Sequence, residues 1–301
     1  MKRFGRTAAG TPRFRCRACG RTFVWSCTGN RDLRERIWFE RWMREGYSVR
    51  QLMDQSGHGR SRLGRIISEW LARPPSRPLL SPTRRLLVDG TFLERNVGIV
   101  ACMDGQRREI IDGAYGVKEG SSTMRTFLDT LKERGLHPES ATIDGNPSVR
   151  RHLEAVWPGI VIQRCLVHVQ RQGLMWCRAD PKRLDARKLR TIFLAVTAIR
   201  SPEERNRFLA TFAAWDLRYG EAIEERGERG WVASDLRRAR SMLRKALPDL
   251  FRYLDDPTIP KSTNSIESYF SRPKRLYRSH RGLAESRRAM YFRWHFLLNR
   301  R

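Results

Sequence analysis

Between residues 84 and 163 three apolar runs follow one another closely, and the pattern then alternates helix with strand. Arg84-Arg-Leu-Leu-Val-Asp89-Gly-Thr-Phe92 is an apolar run followed by an acid and a glycine, as expected of a buried strand that delivers Asp89 at its end. Val97 to Met103 and Glu109 to Tyr115 are two further strand-like stretches, and Asp104-Gly105 between them is a hairpin-type turn. A helix is predicted from Ser122 to Arg134, then a short strand, Ser140-Ala-Thr-Ile-Asp144-Gly-Asn, again ending in Asp-Gly. A helix from Pro147 to Val156 and a strand from Gly159 to Gln163 complete the order βββαβαβ.

That order describes an α/β fold whose sheet is antiparallel in its first three strands and is then extended through helical crossovers. It is the ribonuclease-H-like layout, in which the first and fourth strands lie side by side. The chemistry behind such a pairing is metal-assisted phosphodiester cleavage. Two divalent ions about 4 Å apart must be held by carboxylates from neighbouring strand ends, so that attacking and leaving oxygens are both coordinated. Mg2+ suits the task because it takes hard oxygen ligands and keeps water and phosphate in its shell; Mn2+ is an expected substitute. A lone Asp-Gly is ordinarily a turn, so the weight rests on two of them at matching places, Asp89 and Asp144. Asp104 and Asp112 also precede glycine near strands and are the strongest rivals.

A third acid is expected on a later helix. Residues 180–260 read as helical and charged, with no strand candidate. Directly afterwards, in Lys261-Ser-Thr263-Asn264-Ser-Ile266-Glu267-Ser-Tyr269-Phe270, Ser262 or Thr263 can cap a helix that carries Glu267 in its first or second turn. Ile266, Tyr269 and Phe270 form its buried face. Lys274, Arg275, Arg278 and Arg281 then make a cationic stripe suited to a DNA backbone.

At the N-terminus, Arg-Phe14-Arg-Cys16-Arg-Ala-Cys19-Gly20-Arg-Thr-Phe23 has the form of a knuckle presenting two thiolates to one Zn2+. A full zinc ribbon needs a second pair, and residues 1–15 contain no cysteine. Cys27 or His58 completes the set, or the missing pair lies upstream of Met1, or the half-ribbon is degenerate, or Cys16 and Cys19 form a redox pair. A helix from Asp32 to Arg44 carries Leu33, Ile37, Trp38 and Trp42 at helical spacing. Ser48 caps a short helix through Gln55, a turn runs from Gly57 to Gly59, and a third helix spans Ser61 to Ala72. Three short helices with a tight turn before the last read as helix-turn-helix, with Arg60, Arg62 and Arg65 on the recognition helix. The rival is an ordinary helical domain with a solvated basic face.

Charge divides the chain in the same way. Sixty basic and 32 acidic residues give a formal net charge of +28 over 301 residues, which disfavours a small-metabolite enzyme and favours a polyanion such as DNA. Residues 1–80 carry +12, residues 81–261 +8 and residues 262–301 +8, so the two ends are the cationic parts. Fifty-two of the cations are arginine, whose planar fork suits phosphate and guanine, although a GC-rich genome enriches arginine equally. Pro74-Pro75-Ser-Arg-Pro78-Leu-Leu-Ser-Pro82 cannot be helix interior and marks a linker. The expected organisation is a zinc-ribbon-like knuckle (1–30), a helix-turn-helix (31–73), a linker (74–83), a core (84–179), an all-helical insertion (180–260) and a C-terminal helical part of the core (261–301). No apolar run approaches the roughly 18–20 residues of a membrane span, and there is no apolar signal core. A soluble, cytoplasmic, nucleoid-associated protein with reduced thiols is expected.

Four stretches together resemble the DDE transposases of bacterial insertion sequences, specifically the Mutator-like group. They are Val88-Asp89-Gly-Thr, Ile143-Asp144-Gly-Asn, Gln163-Arg164-Cys165-Leu-Val-His168, and Thr263-Asn264-Ser-Ile266-Glu267 followed by Lys274, Arg278 and Gly282. The likeness spans roughly residues 84–300. It implies that Asp89, Asp144 and Glu267 are the catalytic acids holding two Mg2+ ions. It also places Cys165 and His168, on the strand after the second acid, and Asn264 beside the active site. It implies cleavage at the ends of a DNA element and transfer of the freed 3′-hydroxyl to target DNA, by a homodimer or higher oligomer assembled on DNA. Two rivals share most of these features: a nuclease or resolvase without strand transfer, and a catalytically silent DNA-binding derivative.

Overall fold

The computed structural model describes residues 1–301 except 9, 26, 27, 78, 81, 95, 96, 118–121, 226–230, 281 and 301, and omits the side chains of 28–30, 225, 231 and 232. The chain divides into two compact units, Met1–Arg73 and Pro74–Arg301.

In the first unit, strands β1 (Lys2–Arg6), β2 (Pro12–Arg15) and β3 (Thr22–Val24) form an antiparallel sheet in chain order. Phe14 stands opposite Phe23 with ring centroids 6.1 Å apart, which gives this thin sheet its apolar contact. Between β2 and β3 the Cys16 carbonyl accepts the Gly20 N–H, and the Cys16 N–H is donated to the Arg21 carbonyl, closing the knuckle. Three helices follow, α1 (Thr28–Glu45), α2 (Val49–Ser56) and α3 (Arg60–Ala72). Ser48 and Gln51 form a reciprocal capping box at the start of α2, and Gly57, at φ +67°, ends it. The core of the bundle is Phe39, Trp42, Met43, Leu52, Leu63 and Ile66. Leu33 and Ile37 are exposed, so of the apolar residues read at helical spacing on α1 only Trp42 is fully enclosed.

The second unit is built on a five-stranded mixed sheet in the order β6-β5-β4-β7-β8. The strands are β4 (Arg85–Glu94), β5 (Val97–Asp104), β6 (Glu109–Tyr115), β7 (Ser140–Ile143) and β8 (Val161–Arg164). The first three form an antiparallel meander, while β7 and β8 add in parallel beside β4 through the helices α4 (Ser122–Glu133) and α5 (Pro147–Val156). Leu86, Val88 and Val100 of the sheet pack with Met124, Leu128 and Leu131 of α4 and Leu153 of α5 in one apolar cluster.

After β8 the chain enters α6 (Leu166–Cys177) at once, with Cys165 as its N-cap. The expected strand placement of Cys165 and His168 is therefore corrected to a strand-to-helix junction. An apolar opening, Leu-Val-His-Val, reads as strand by alternation, and only tertiary packing assigns it to a helix. The described residues that follow are helical, comprising α7 (Leu184–Ala195), α8 (Pro202–Glu225), α9 (Trp231–Ala246) and a single turn α10 (Arg252–Asp255). They share a separate core that includes Leu189, Phe193, Phe212, Trp215, Leu243 and Leu250.

Buried polar side chains join this helical segment to the sheet. Gln163 donates to the Leu250 carbonyl at 2.8 Å and accepts the Tyr253 N–H at 3.2 Å, and the Thr142 hydroxyl donates to the Pro260 carbonyl at 2.6 Å. The chain then returns as α11 (Asn264–Ser279) and α12 (Glu285–Leu298). Helix α11 packs on β4 and β5, and α12 on β6, where Phe296 lies so close that Gly113 has no room for a Cβ.

Candidate active site

Asp89 lies within β4, 8% exposed, and its carboxylate accepts the Gly90 N–H at 2.9 Å. Asp144 directly follows β7. Because Leu87 pairs with Thr142 across the parallel β4–β7 ladder, Asp89 and Asp144 each stand two residues further along adjacent strands. Period-two alternation then gives both the same face of the sheet. The turn after Asp144 is tightly specified. Asp144 accepts the Asn146 N–H, Asn146 caps α5 through the Ser148 N–H, and Pro147 opens that helix. Gly145 sits at φ +99°, a conformation that L side chains rarely adopt, with the Arg164 guanidinium where a Cβ would project, so the backbone demands glycine.

Glu267 occupies the first turn of α11, which packs on β4 and so brings it to the strand that carries Asp89. The expected buried face is present, with Ile266, Tyr269 and Phe270 all enclosed. The Glu267 carboxylate lies 3.5 Å from His168 Nε2, 3.4 Å from Arg171 Nη1 and 3.5 Å from the Thr263 hydroxyl. Thr263 does hold the N-cap position, but its hydroxyl makes no cap bond and instead reaches Cys165 Sγ at 3.4 Å and His168 Nδ1 at 3.3 Å. Its backbone N–H also points to the Cys165 sulfur, at 3.3 Å. Asn264 is exposed at the start of the same helix.

These contacts set the electrostatics. A hydrogen bond with Cys165, together with the negative charges of Cys165, Glu267 and Asp89, outweighs burial and pushes His168 up to about 9. Burial alone raises the Cys165 thiol, but hydrogen bonds from His168 and Thr263 overcome it and leave the thiol below its ordinary value. The ring lies against Glu267, and the charge of Asp89 adds a smaller contribution to the same shift. Arg171 was not among the residues singled out from the sequence, and Thr263 was read there only as a helix cap; His168 and Arg171, three apart, share a face only once the helix is known.

Among the described residues no group of three or more His, Cys, Asp or Glu side chains is gathered closely enough to hold a metal ion. The donors themselves are three carboxylates, the hard oxygen ligands that Mg2+ takes; Asp144 follows the end of β7, but β4 runs on to Glu94, so Asp89 stands midway along its strand and not at the end expected from the sequence. His168 and Arg171 stand against Glu267 where a cation is favoured. The rival acids serve other purposes. Asp104 accepts from Thr83 and from the Gln106 and Arg107 N–H groups of its hairpin, while Asp112 is paired with Arg134.

The cationic residues divide likewise. Lys274 is half-buried and Arg275 and Arg278 are exposed along α11, while Arg281 lies outside the described residues. In the first unit Arg60 and Arg65 are exposed, but Arg62 turns inward to the buried Glu35, at 2.8 Å. Backbone N–H groups of Cys19 and Ala18, with the Cys19 side chain, hold the Cys16 thiol below its usual value. His58 packs edge-on to Trp38, and Cys27 lies outside the described residues.

The mixed sheet thus carries Asp89 within β4 and Asp144 just after the neighbouring β7, with Glu267 on a helix that packs on β4. The sequence profile of the Mutator family of transposases matches residues 88–290, from the strand of Asp89 to beyond the helix of Glu267. The chain belongs to the Mutator family of transposases. No curated protein matches the sequence. Among the described residues no helix is long and apolar enough to cross a membrane.

Proposed function

We propose that the chain catalyses metal-dependent strand cleavage and strand transfer at the ends of an insertion sequence, on a ribonuclease-H-like core, with Asp89, Asp144 and Glu267 as the metal-holding acids. The observation that carries this reading is the β4–β7 register, which sets Asp89 in β4 and Asp144 just after β7 at matching positions, with Glu267 on α11, which packs on β4. The strand order, three antiparallel strands followed by two parallel ones, supports the same core.

Two Mg2+ ions, when bound by these carboxylates, would polarise the scissile phosphodiester and lower the pKa of an attacking water. The chain's own residues position the site. Thr263, His168 and Arg171 fix the Glu267 carboxylate, and the backbone turn at Gly145 and Asn146 fixes Asp144. Cleavage breaks a P–O bond at the element end and leaves a 3′-hydroxyl, which then attacks a target phosphodiester and displaces a second 3′-oxygen. No bond to protein forms. The Lys274, Arg275 and Arg278 stripe continues α11 beyond Glu267 and is suited to the DNA backbone. The knuckle and helices of residues 1–73 are assigned to recognition of the element ends, with Cys16 and Cys19 as the two thiols the knuckle would offer to Zn2+.

The test is cleavage and joining of a terminal-repeat DNA in Mg2+. Asp89→Asn, Asp144→Asn and Glu267→Gln should each abolish both steps, by at least about a hundredfold, while DNA binding persists. Full activity in any one variant removes that residue from the site, and cleavage without joining in the unmodified chain defeats strand transfer.

A further inference from the structure

A cavity of about 740 Å3 opens beside the Asp144 turn, between the sheet and the helical segment, with Gly145 and Pro147 on one wall and α9 on the other. Its described lining includes five cations, Arg150, Arg164, Arg237, Arg238 and Lys245, against one carboxylate, Glu224. Glu224 is already paired with Arg240 at 2.9 Å, so it does little to cancel the five. Arg150 is paired with Glu154 and Asp249, and Arg238 lies 3.8 Å from Asp235. Lys245 is exposed at the rim, and the buried Nε of Arg164 has no hydrogen-bond partner. Even with these ion pairs, cations outnumber carboxylates on the described lining, and a concave space of net positive charge favours an anion.

The remaining walls are apolar, with the half-buried ring of Trp176 and the side chain of Met242. Phosphate-binding cations beside an aromatic wall are the combination that holds unpaired nucleic acid, whose bases stack on rings while the backbone follows the charge. The cleft is too small to enclose a duplex. The volume falls within the roughly 300–1,000 Å3 of sites that enclose small-molecule-sized groups, so it admits a few unstacked nucleotides only. Helix α6 joins the two regions, because His168 beside Glu267 and Trp176 in the cavity are eight residues apart, about 12 Å along the helix at 1.5 Å per residue.

We propose that this cleft seats an unpaired stretch of DNA strand next to the Asp144 turn, with phosphates on its arginines and lysine and a base against Trp176. The proposal rests on the reading of the chain as a DNA-cleaving enzyme and adds that the strand is opened where it passes Asp144.

The test is binding by the full chain in EDTA, which removes any dependence on divalent metal and stops cleavage. The probes are a short blunt duplex and the same duplex with an unpaired tail. The unmodified chain should favour the tailed duplex by about tenfold. Trp176→Ala and, independently, Lys245→Glu should erase most of that preference, and Trp176→Phe should retain it. Lys245 is exposed, so its variant keeps the test valid even if loss of the tryptophan disturbs folding. No preference in the unmodified chain overturns the proposal. So does an equal loss on blunt and tailed DNA, which would make the cleft a general cationic surface, or displacement of the tail by an equal concentration of a free deoxynucleotide. A chain that prefers tails but never cleaves defeats the proposed activity alone; one that cleaves without a tail preference defeats the cleft alone.

Discussion

Thr263 is wholly buried, yet its hydroxyl lies within 3.5 Å of the cysteine, the histidine and the glutamate that line this part of the site. Replacing it by valine keeps the shape and removes one hydrogen-bonding group worth about 0.5–1.5 kcal/mol. Thr263→Val should therefore slow cleavage by about three- to tenfold with the DNA Kd unchanged, and Thr263→Ser should recover most of the rate. A variant with an unchanged rate, or a serine variant that recovers nothing, would reduce Thr263 to a packing residue. Its position at a helix start was legible in the sequence, because small hydroxyl residues cap helices. The direction of its hydroxyl was not, since that depends on Cys165, 98 residues away. Asp89 and Asp144 stood out as candidates because an acid and glycine after an apolar run is a local signal, although that signal misplaced the end of β4, which runs on to Glu94. Arg171 was not, because nothing local distinguishes it from the many other arginines of this chain.

Helices α1 and α3 are tied through Glu35, 4% exposed, which takes Arg31 at 2.9 Å and Arg62 at 2.8 Å. A buried carboxylate that loses a partner is costly, although the Arg62 side chain is 40% exposed and its contribution is correspondingly reduced. Arg62→Ala should lower the stability of the first unit by about 1–2 kcal/mol, read as a shifted urea midpoint. Arg60→Ala and Arg65→Ala should stay within about 0.5 kcal/mol and weaken DNA binding instead. An Arg62 variant as stable as the parent would return that residue to the DNA-facing set. At this scale the sequence was informative where periodicity was strong. The Ser48 cap, the Gly57 stop and the order of β4 to β8 follow from turn chemistry and apolar runs. It was misleading where a segment offers two readings. Helix α1 carries apolar residues on two stripes, and packing against α3 selects Phe39 and Met43 while leaving Leu33 and Ile37 in water. Strand β1, Lys-Arg-Phe-Gly-Arg, is exposed throughout and offers no hydrophobic pattern to read.

Taken whole, the chain combines a large positive charge, +28, with a second unit whose terminal helices enclose a neutral histidine. His295 lies among Tyr269, Tyr291, Phe292 and Phe296, and burial, with a smaller contribution from Arg272, lowers it to about 3. The unfolded chain takes up a proton near the ordinary value of 6.5, whereas the folded chain resists it down to about 3. Stability from this residue is thus complete above about pH 6.5 and falls by about 1.4 kcal/mol per pH unit on acidification through that window. His295→Leu should flatten the pH dependence of urea unfolding between about pH 7 and about pH 5; an unchanged slope would contradict a neutral buried imidazole. The central claim concerns the three acids as one metal site, and counting bound ions tests it most directly. Mn2+ titration of the full chain on an element-end DNA, followed by electron paramagnetic resonance, should find about two bound ions, and fewer in each of Asp89→Asn, Asp144→Asn and Glu267→Gln. If any of the three variants binds the same number of ions with the same affinity as the parent, the shared site is contradicted.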